Sequence, residues 1–249
     1  MEGQHPTTRT GVGAGSALAQ GLLLVVGVSA AMRASLGSHA WSVIRAAALY
    51  SAIMTLVMRS LPAHHPFTRF GSANHVTTVR AAIVSVLAAL VGEPRTADMA
   101  GVVVALGTVA AVLDGVDGWL ARRSGMQSAL GARFDMEVDA LLILVLAILV
   151  WRFEKAGAWV LLAGLLRYGF LAGGWTASWM RRPLPPIRRR QAVCVVQVAA
   201  LNAALLPMVP PRTSSWVLGI ALVGLSYSFA LDTAWLWRHR TGVRIAVPS

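Results

Sequence analysis

The sequence predicts an all-α fold, a polytopic membrane helix bundle, and three observations predict it. Hydrophobic residues fill 56% of the 249 positions and charged residues only 13%, where a soluble domain carries about 25% charged. Mean hydropathy is +0.64. The apolar residues gather in runs close to the roughly 20 residues that a membrane-spanning helix needs. The period-two alternation of a barrel strand is absent.

Taken in order, the runs are 17–35, 41–58, 75–92, 97–120, 134–152, 156–178, 191–208 and 214–237. The first two follow a polar stretch, 1–16, and pair as a hairpin. "GLLLVVGVSAA" in the first run also resembles a signal-peptide core ending in small residues. A second apolar run follows it closely, which favours a retained hairpin. The remaining breaks carry turn and charge signals: "RSLPAHHPFTRFGS", "GEPRTAD", "ARRSGMQSALGAR", "FEKAG", "MRRPLPPIRRR" and "PMVPPR". The expected division is a tail over 1–16, the extra hairpin over 17–58, a linker over 59–73, a six-helix membrane domain over 74–238 and a tail over 239–249.

Charge orients the bundle. The net charge is +12, and Lys155 is the one lysine among 22 basic residues. A soluble protein this basic would suggest nucleic acid. Here no basic stripe interleaves with aromatics, and the Arg residues fall between apolar runs, so nucleic acid is not an expected partner. One side holds Arg59, Arg69, Arg122, Arg123, Arg133, Arg181, Arg182, Arg188, Arg189, Arg190, Arg238, Arg240 and Arg244. The other holds Arg33, Arg95, Arg152, Lys155 and Arg212. The richer side is expected in the cytoplasm, with both termini. Cys194 stands alone, which excludes an intrachain disulfide and a zinc cluster.

Of the ten acidic residues, five lie within "LDGVDGWLARRSGMQSALGARFDMEVDA", residues 113 to 140. Asp114 and Asp117 are three apart and Asp135 and Asp139 four apart, so each pair shares a helical face. The connection between them should fold the two helices into an antiparallel hairpin, with the pairs facing each other at similar depth. A carboxylate at a helix centre costs about 2.5–3.5 kcal/mol on insertion scales. Divalent cations would offset that, and hard oxygen ligands suit Mg²⁺ or Mn²⁺. Two such ions form a clamp for displacement at phosphorus. A solvated loop with helix caps fits less well, because Asp114 and Asp117 follow an apolar stretch inside a helix. An ion or proton pathway is the other reading of intramembrane acids.

Asp114-x-x-Asp117-Gly118-x-x-Ala121-Arg122, eight residues, Gly131, three residues, Asp135, three residues, Asp139 resembles the signature of the CDP-alcohol phosphotransferase (CDP-alcohol phosphatidyltransferase) family at every defined position. The resemblance extends with less force over 74–238, because that family has a six-helix core. It implies transfer of a phosphatidyl or similar group from a CDP-linked donor to an acceptor hydroxyl, with release of CMP. It implies two divalent cations, Mg²⁺ or Mn²⁺, on Asp114, Asp117, Asp135 and Asp139, with Asp139 also the general base. Gly118 and Ala121 would let the nucleotide lie close, Arg122 would reach a phosphate, and Gly131 would permit tight helix approach.

"ANHVTTVRAAI" resembles the family's Asn-x-x-Thr-x-x-Arg opening. On that reading Asn74, Thr77 and Arg80 line the nucleotide pocket. The alternative is a helix cap at Asn74 and an Arg80 that snorkels to the interface. Arg188, Arg189 and Arg190, with Arg133, are candidates for an acceptor phosphate, or else an Arg cluster that fixes topology. Relatives use Lys there. Gln191 and Gln197 both compete for the family's Gln. Arg167 lies in an apolar run and needs a partner, either a site carboxylate or carbonyls. Asp232 is expected to pair with Arg238. Glu137 lies off the aspartate face and has no assigned part.

Two other readings use similar residues. A Mg²⁺-dependent membrane prenyltransferase would carry two separated acidic clusters, without these small residues. An ion-coupled transporter would spread its acids over several helices. The expected partners are CDP-diacylglycerol or a related CDP-alcohol, a small polar alcohol with glycerol 3-phosphate as first guess, and the bilayer. Relatives often dimerise, and the sequence neither supports nor excludes a homodimer. The expected location is a bacterial inner membrane, with the site toward the cytoplasm.

Overall fold

Apolar runs of this length satisfy their backbone groups internally only as helices or closed barrels. The computed structural model describes residues 6–64, 70–124, 128–185 and 187–240. Within them the chain forms eight α-helices and no strand: α1 (Pro6–Leu36), α2 (Ala40–His64), α3 (Ser72–Ala89), α4 (Ala97–Ser124), α5 (Ala129–Arg152), α6 (Leu162–Thr176), α7 (Arg188–Ala204) and α8 (Pro211–Arg238). Short 3₁₀ turns follow α3 and α6 and precede α6. Each expected run corresponds to one helix. α1 begins at Pro6, earlier than its apolar run, with proline at a position where its missing N–H costs nothing. α2 continues to His64, and the chain beyond it meets Pro66, before which helical backbone is disfavoured.

Six of these helices are long and apolar enough to cross a membrane. The two that are not are α5, which carries Arg133, Asp135, Glu137 and Asp139 in its first turns, and α7, which has 17 residues and opens on "RRRQ". α3 is the central element. It packs against α1, α2, α4 and α5, and its span is 67% buried, against 28% or less for the other spans. The outer helices are two-faced. α8 buries Ser214, Leu218, Ala221, Leu225, Ser228, Asp232 and Leu236. It exposes Trp216, Ile220, Val223, Tyr227 and Leu231 on the opposite face. Both sets recur at helical spacing, and an apolar face turned outward along a whole helix is a lipid face. The chain is an integral membrane protein.

The two ends of the bundle differ. At the far end, polar side chains tie neighbouring connections. Glu93 is buried and accepts from the His39 backbone N–H at 2.9 Å, from His39 Nδ1 at 2.9 Å and from Arg45 at 3.1 Å. Arg95 donates to the Arg152 carbonyl at 3.0 Å, and Lys155 to the carbonyls of Leu206 at 3.0 Å and Val209 at 2.6 Å. The Arg152 carbonyl, at the last residue of α5, is one of those that a helix end leaves without a partner. The other end, where α3, α5 and α7 begin and α4, α6 and α8 finish, holds the acidic residues of the site.

α4 and α5 run antiparallel and bring Asp114 opposite Asp135 and Asp139, as the spacing predicts. Among the described residues they make little other direct contact, and two neighbours fill the space between them. α3 packs against both, and α7 packs against both from its own side. Close approach goes to α3 instead, because Gly131 of α5 lies against Asn74. A Cβ at position 131 would meet Asn74 Oδ1 at 2.7 Å.

Candidate active site

Three helices build the site about two turns inside the bundle. Asp114 comes from α4, Asp135 and Asp139 from α5, and Arg80 from α3. One carboxylate oxygen from each aspartate lies within 4.8 Å of the others. Arg80 sits beneath them. Its Nη2 is 2.8 Å from Asp114 Oδ1, its Nη1 is 2.5 Å from Asp135 Oδ1, and it also donates to Asp139. The Arg80 side chain is 1% exposed, and those of Asp114, Asp135 and Asp139 are 33%, 39% and 31% exposed. The guanidinium is thus fully desolvated, while the carboxylates remain open to a water-soluble ligand.

A buried guanidinium without partners is prohibitive, and three carboxylates answer that cost. The reverse does not balance. Among the described residues Arg80 faces the carboxylates of Asp114, Asp135 and Asp139, which leaves negative charge in excess. That excess, the oxygen-only donor set and the short separation fit one or more hard divalent cations. Asp114, Asp135 and Asp139 are the residues that could hold them.

The structure excludes the cap-and-snorkel alternative for α3. Asn74 is not the cap, since α3 opens at Ser72 after Gly71, whose φ is 85°. Asn74 is buried in the first turn, and its Nδ2 donates to the Phe70 carbonyl at 2.5 Å. Thr77 is buried too, and its hydroxyl donates to the Ala73 carbonyl at 3.1 Å. Arg80 does not snorkel outward; it turns inward onto the aspartates. α5 has a true N-cap that the sequence reading passed over. The Ser128 hydroxyl accepts from the Gly131 N–H at 3.0 Å, and serine is a preferred residue at the position before a helix.

Other expected residues scatter. Gly118 is on α4, partly exposed. The side chains of Asp117, Ala121 and Arg122 lie outside the described residues. Arg133 and Arg188 are exposed. Arg189 and Arg190 do not point free charge at the site. Arg189 Nη2 is 2.5 Å from Asp232 Oδ1 and Arg190 Nε 2.8 Å from Asp232 Oδ2. This corrects the expected pairing of Asp232 with Arg238: positions six apart on a helix are about 120° from a common face, and Asp232 is turned inward to α7. Arg167 of α6 pairs with Glu137 of α5, the acidic residue that had no assigned part.

Two residues of α7 complete the surroundings. Cys194 is within electrostatic reach of Asp139, Asp114 and Arg167. Gln197 is 1% exposed, and neither its Oε1 nor its Nε2 has a hydrogen-bond partner. Gln191 is exposed. Of the two glutamines, Gln197 is therefore the one turned into the bundle. A buried amide left unsatisfied costs about 1–3 kcal/mol.

Comparison with known proteins bears on this geometry. The family model for CDP-alcohol phosphatidyltransferase matches residues 70–227, which span α3 to most of α8 and include every residue of the acidic cluster. No curated protein and no solved structure gives a match. The match covers more than half of the chain, and the chain belongs to the CDP-alcohol phosphatidyltransferase family of enzymes.

Proposed function

We propose that this enzyme moves a phosphatidyl group from CDP-diacylglycerol to the hydroxyl of a small polar alcohol and releases CMP, in the synthesis of membrane phospholipid. The observation that carries this reading is the meeting of Asp114, Asp135 and Asp139 around Arg80, open to solvent at one end of the bundle. A lipid donor is supported by the two faces of α4, which turns Asp114 inward onto Arg80 and Val112 and Val116 outward on the opposite side, so only one helix separates the site from lipid.

Asp114, Asp117, Asp135 and Asp139 would hold two divalent cations, Mg²⁺ or Mn²⁺, which neutralise the donor pyrophosphate and the charge that builds on departing CMP. Asp139 takes the proton from the acceptor hydroxyl. The freed oxygen attacks the phosphorus that carries the diacylglycerol, and the bond from that phosphorus to the CMP oxygen breaks. A base must sit within hydrogen-bond reach of the hydroxyl, and Arg80 orients the Asp139 carboxylate for this. Asn74, Thr77, Gly118, Ala121, Arg122 and Gly131 form the nucleotide side. Arg133 and Arg188, both exposed, are the cations best placed to meet an acceptor phosphate. Arg189 and Arg190 contribute through the Asp232 pair, whose net charge remains positive.

The site end faces the cytoplasm on this reading, because the loops there are the richer in Arg. The residues before 70 would form an added hairpin outside the catalytic unit. An acceptor screen with labelled CDP-diacylglycerol and separation of the lipid products tests the assignment. A new lipid with glycerol 3-phosphate is expected. Absence of any lipid product with every alcohol tried, at any divalent cation concentration, refutes it.

A further inference from the structure

Away from the acidic cluster, a groove of about 460 Å³ lies at the site end of the bundle, lined by Trp179, Ala230, Thr233, Ala234, Trp237 and Arg238. Trp179 belongs to the 3₁₀ turn after α6, and the others to the last turns of α8. The two indoles meet edge to face with centroids 5.3 Å apart. The wall is apolar, and it continues the lipid-facing stripe of α8 through Tyr227 and Leu231.

The rim is cationic. Arg238 lines the groove, and the Arg240 guanidinium lies 3.5 Å from the centroid of Trp237. Arg182 donates to the carbonyls of His239 and Arg240, which fixes the end of α8 against the turn that carries Trp179. Among the described residues no carboxylate pairs with Arg238 or Arg240, and beyond Glu154 the sequence holds one acidic residue, Asp232. That residue is buried and engaged by Arg189 and Arg190.

An aromatic wall at a span's end with unopposed arginines above it matches one ligand chemistry. Indole rings settle at headgroup level, and basic groups at that depth attract anionic lipid. We propose that this groove is a binding site for an anionic membrane phospholipid, separate from the acidic cluster. An acyl chain lies against Trp179 and Trp237, and the phosphate meets Arg238 and Arg240.

Native mass spectrometry of the full chain in neutral detergent tests this, with phosphatidylglycerol or phosphatidylcholine of identical acyl chains added. Wild type is expected to retain phosphatidylglycerol in preference. Arg238→Gln should lower that retention about fivefold, the worth of one interfacial basic group, and leave phosphatidylcholine unchanged. Trp179→Ala should lower retention of both lipids. Arg33→Gln, at the far end of α1, should change neither. Added CDP should leave the phosphatidylglycerol signal intact. Equal retention of the two lipids by wild type, or an unaltered signal in Arg238→Gln, overturns the proposal. Displacement by CDP also overturns it, because the lipid would then occupy the catalytic site. Lipid-free dimers that Trp179→Ala dissociates overturn it in favour of a second copy of the chain.

Discussion

At the scale of single residues, Asp139 and Gly131 separate chemistry from packing. Asp139→Asn keeps an oxygen donor and the contact with Arg80 but removes the base. Turnover should fall by about 10²–10⁴-fold, the usual worth of a positioned general base, with Mn²⁺ binding largely retained. Isothermal titration beside a CMP-release assay reads both, and wild-type-like turnover refutes the base. Gly131→Ala places a methyl 2.7 Å from Asn74 Oδ1. Asn74 must move, and a cost of about 1–3 kcal/mol follows, read as a lower melting temperature and weaker CDP binding. An unchanged CDP affinity would detach Asn74 and Gly131 from the nucleotide side. Helical spacing made the aspartates legible in the sequence, since periodicity is local. Arg80 was only half legible. A capped helix with a snorkelling Arg and an Arg buried under carboxylates share the same local sequence, and packing alone chooses between them. Glu137 lies off the aspartate face, as expected, and its partner was not legible. Being off the aspartate face of α5 is what turns it toward Arg167 on α6.

At the scale of elements, eight apolar runs became eight helices because length and hydropathy are properties of the run itself. Their neighbours were not legible. Short connection predicted that α4 and α5 meet, and they do at the aspartates, but it gave no sign that α3 would contact both, being apolar on nearly every face and stable only when surrounded. The acids on α5 are tolerated because Arg80 and Arg167 lie opposite them. At the far end, Glu93 joins the connection after α3 to His39 and Arg45 of the N-terminal hairpin. Glu93→Ala removes charge-assisted bonds worth about 1.5–3 kcal/mol. The expected outcome is a lower melting temperature and faster proteolysis between α1 and α2, with the CMP-release rate per folded molecule near wild type. If that rate per folded molecule collapsed instead, the hairpin would have a part in catalysis.

At the scale of the whole molecule, a lipid-facing exterior encloses a charged interior that opens at one end. Its orientation is testable. In a Cys194→Ala background, Met208→Cys lies in the exposed connection at the far end and Ser178→Cys in the exposed turn at the site end. A membrane-impermeant maleimide added to intact cells should label position 208 and spare 178, which reacts only after lysis. The opposite pattern would invert the topology. The acceptor was not legible at any scale. Arginines that satisfy Asp232 and arginines that wait for a phosphate look alike in sequence.

The central claim is that the carboxylates on α4 and α5 form a cation-dependent site for a CDP-linked lipid. Its most direct test is CMP release by the purified chain from CDP-diacylglycerol with a mixture of acceptor alcohols, with and without divalent cations. The account predicts release with Mg²⁺ or Mn²⁺, none after chelation, recovery on adding the ion back, and none in Asp114→Asn. Release that persists in chelator, or that survives in Asp114→Asn at the wild-type rate, would contradict it.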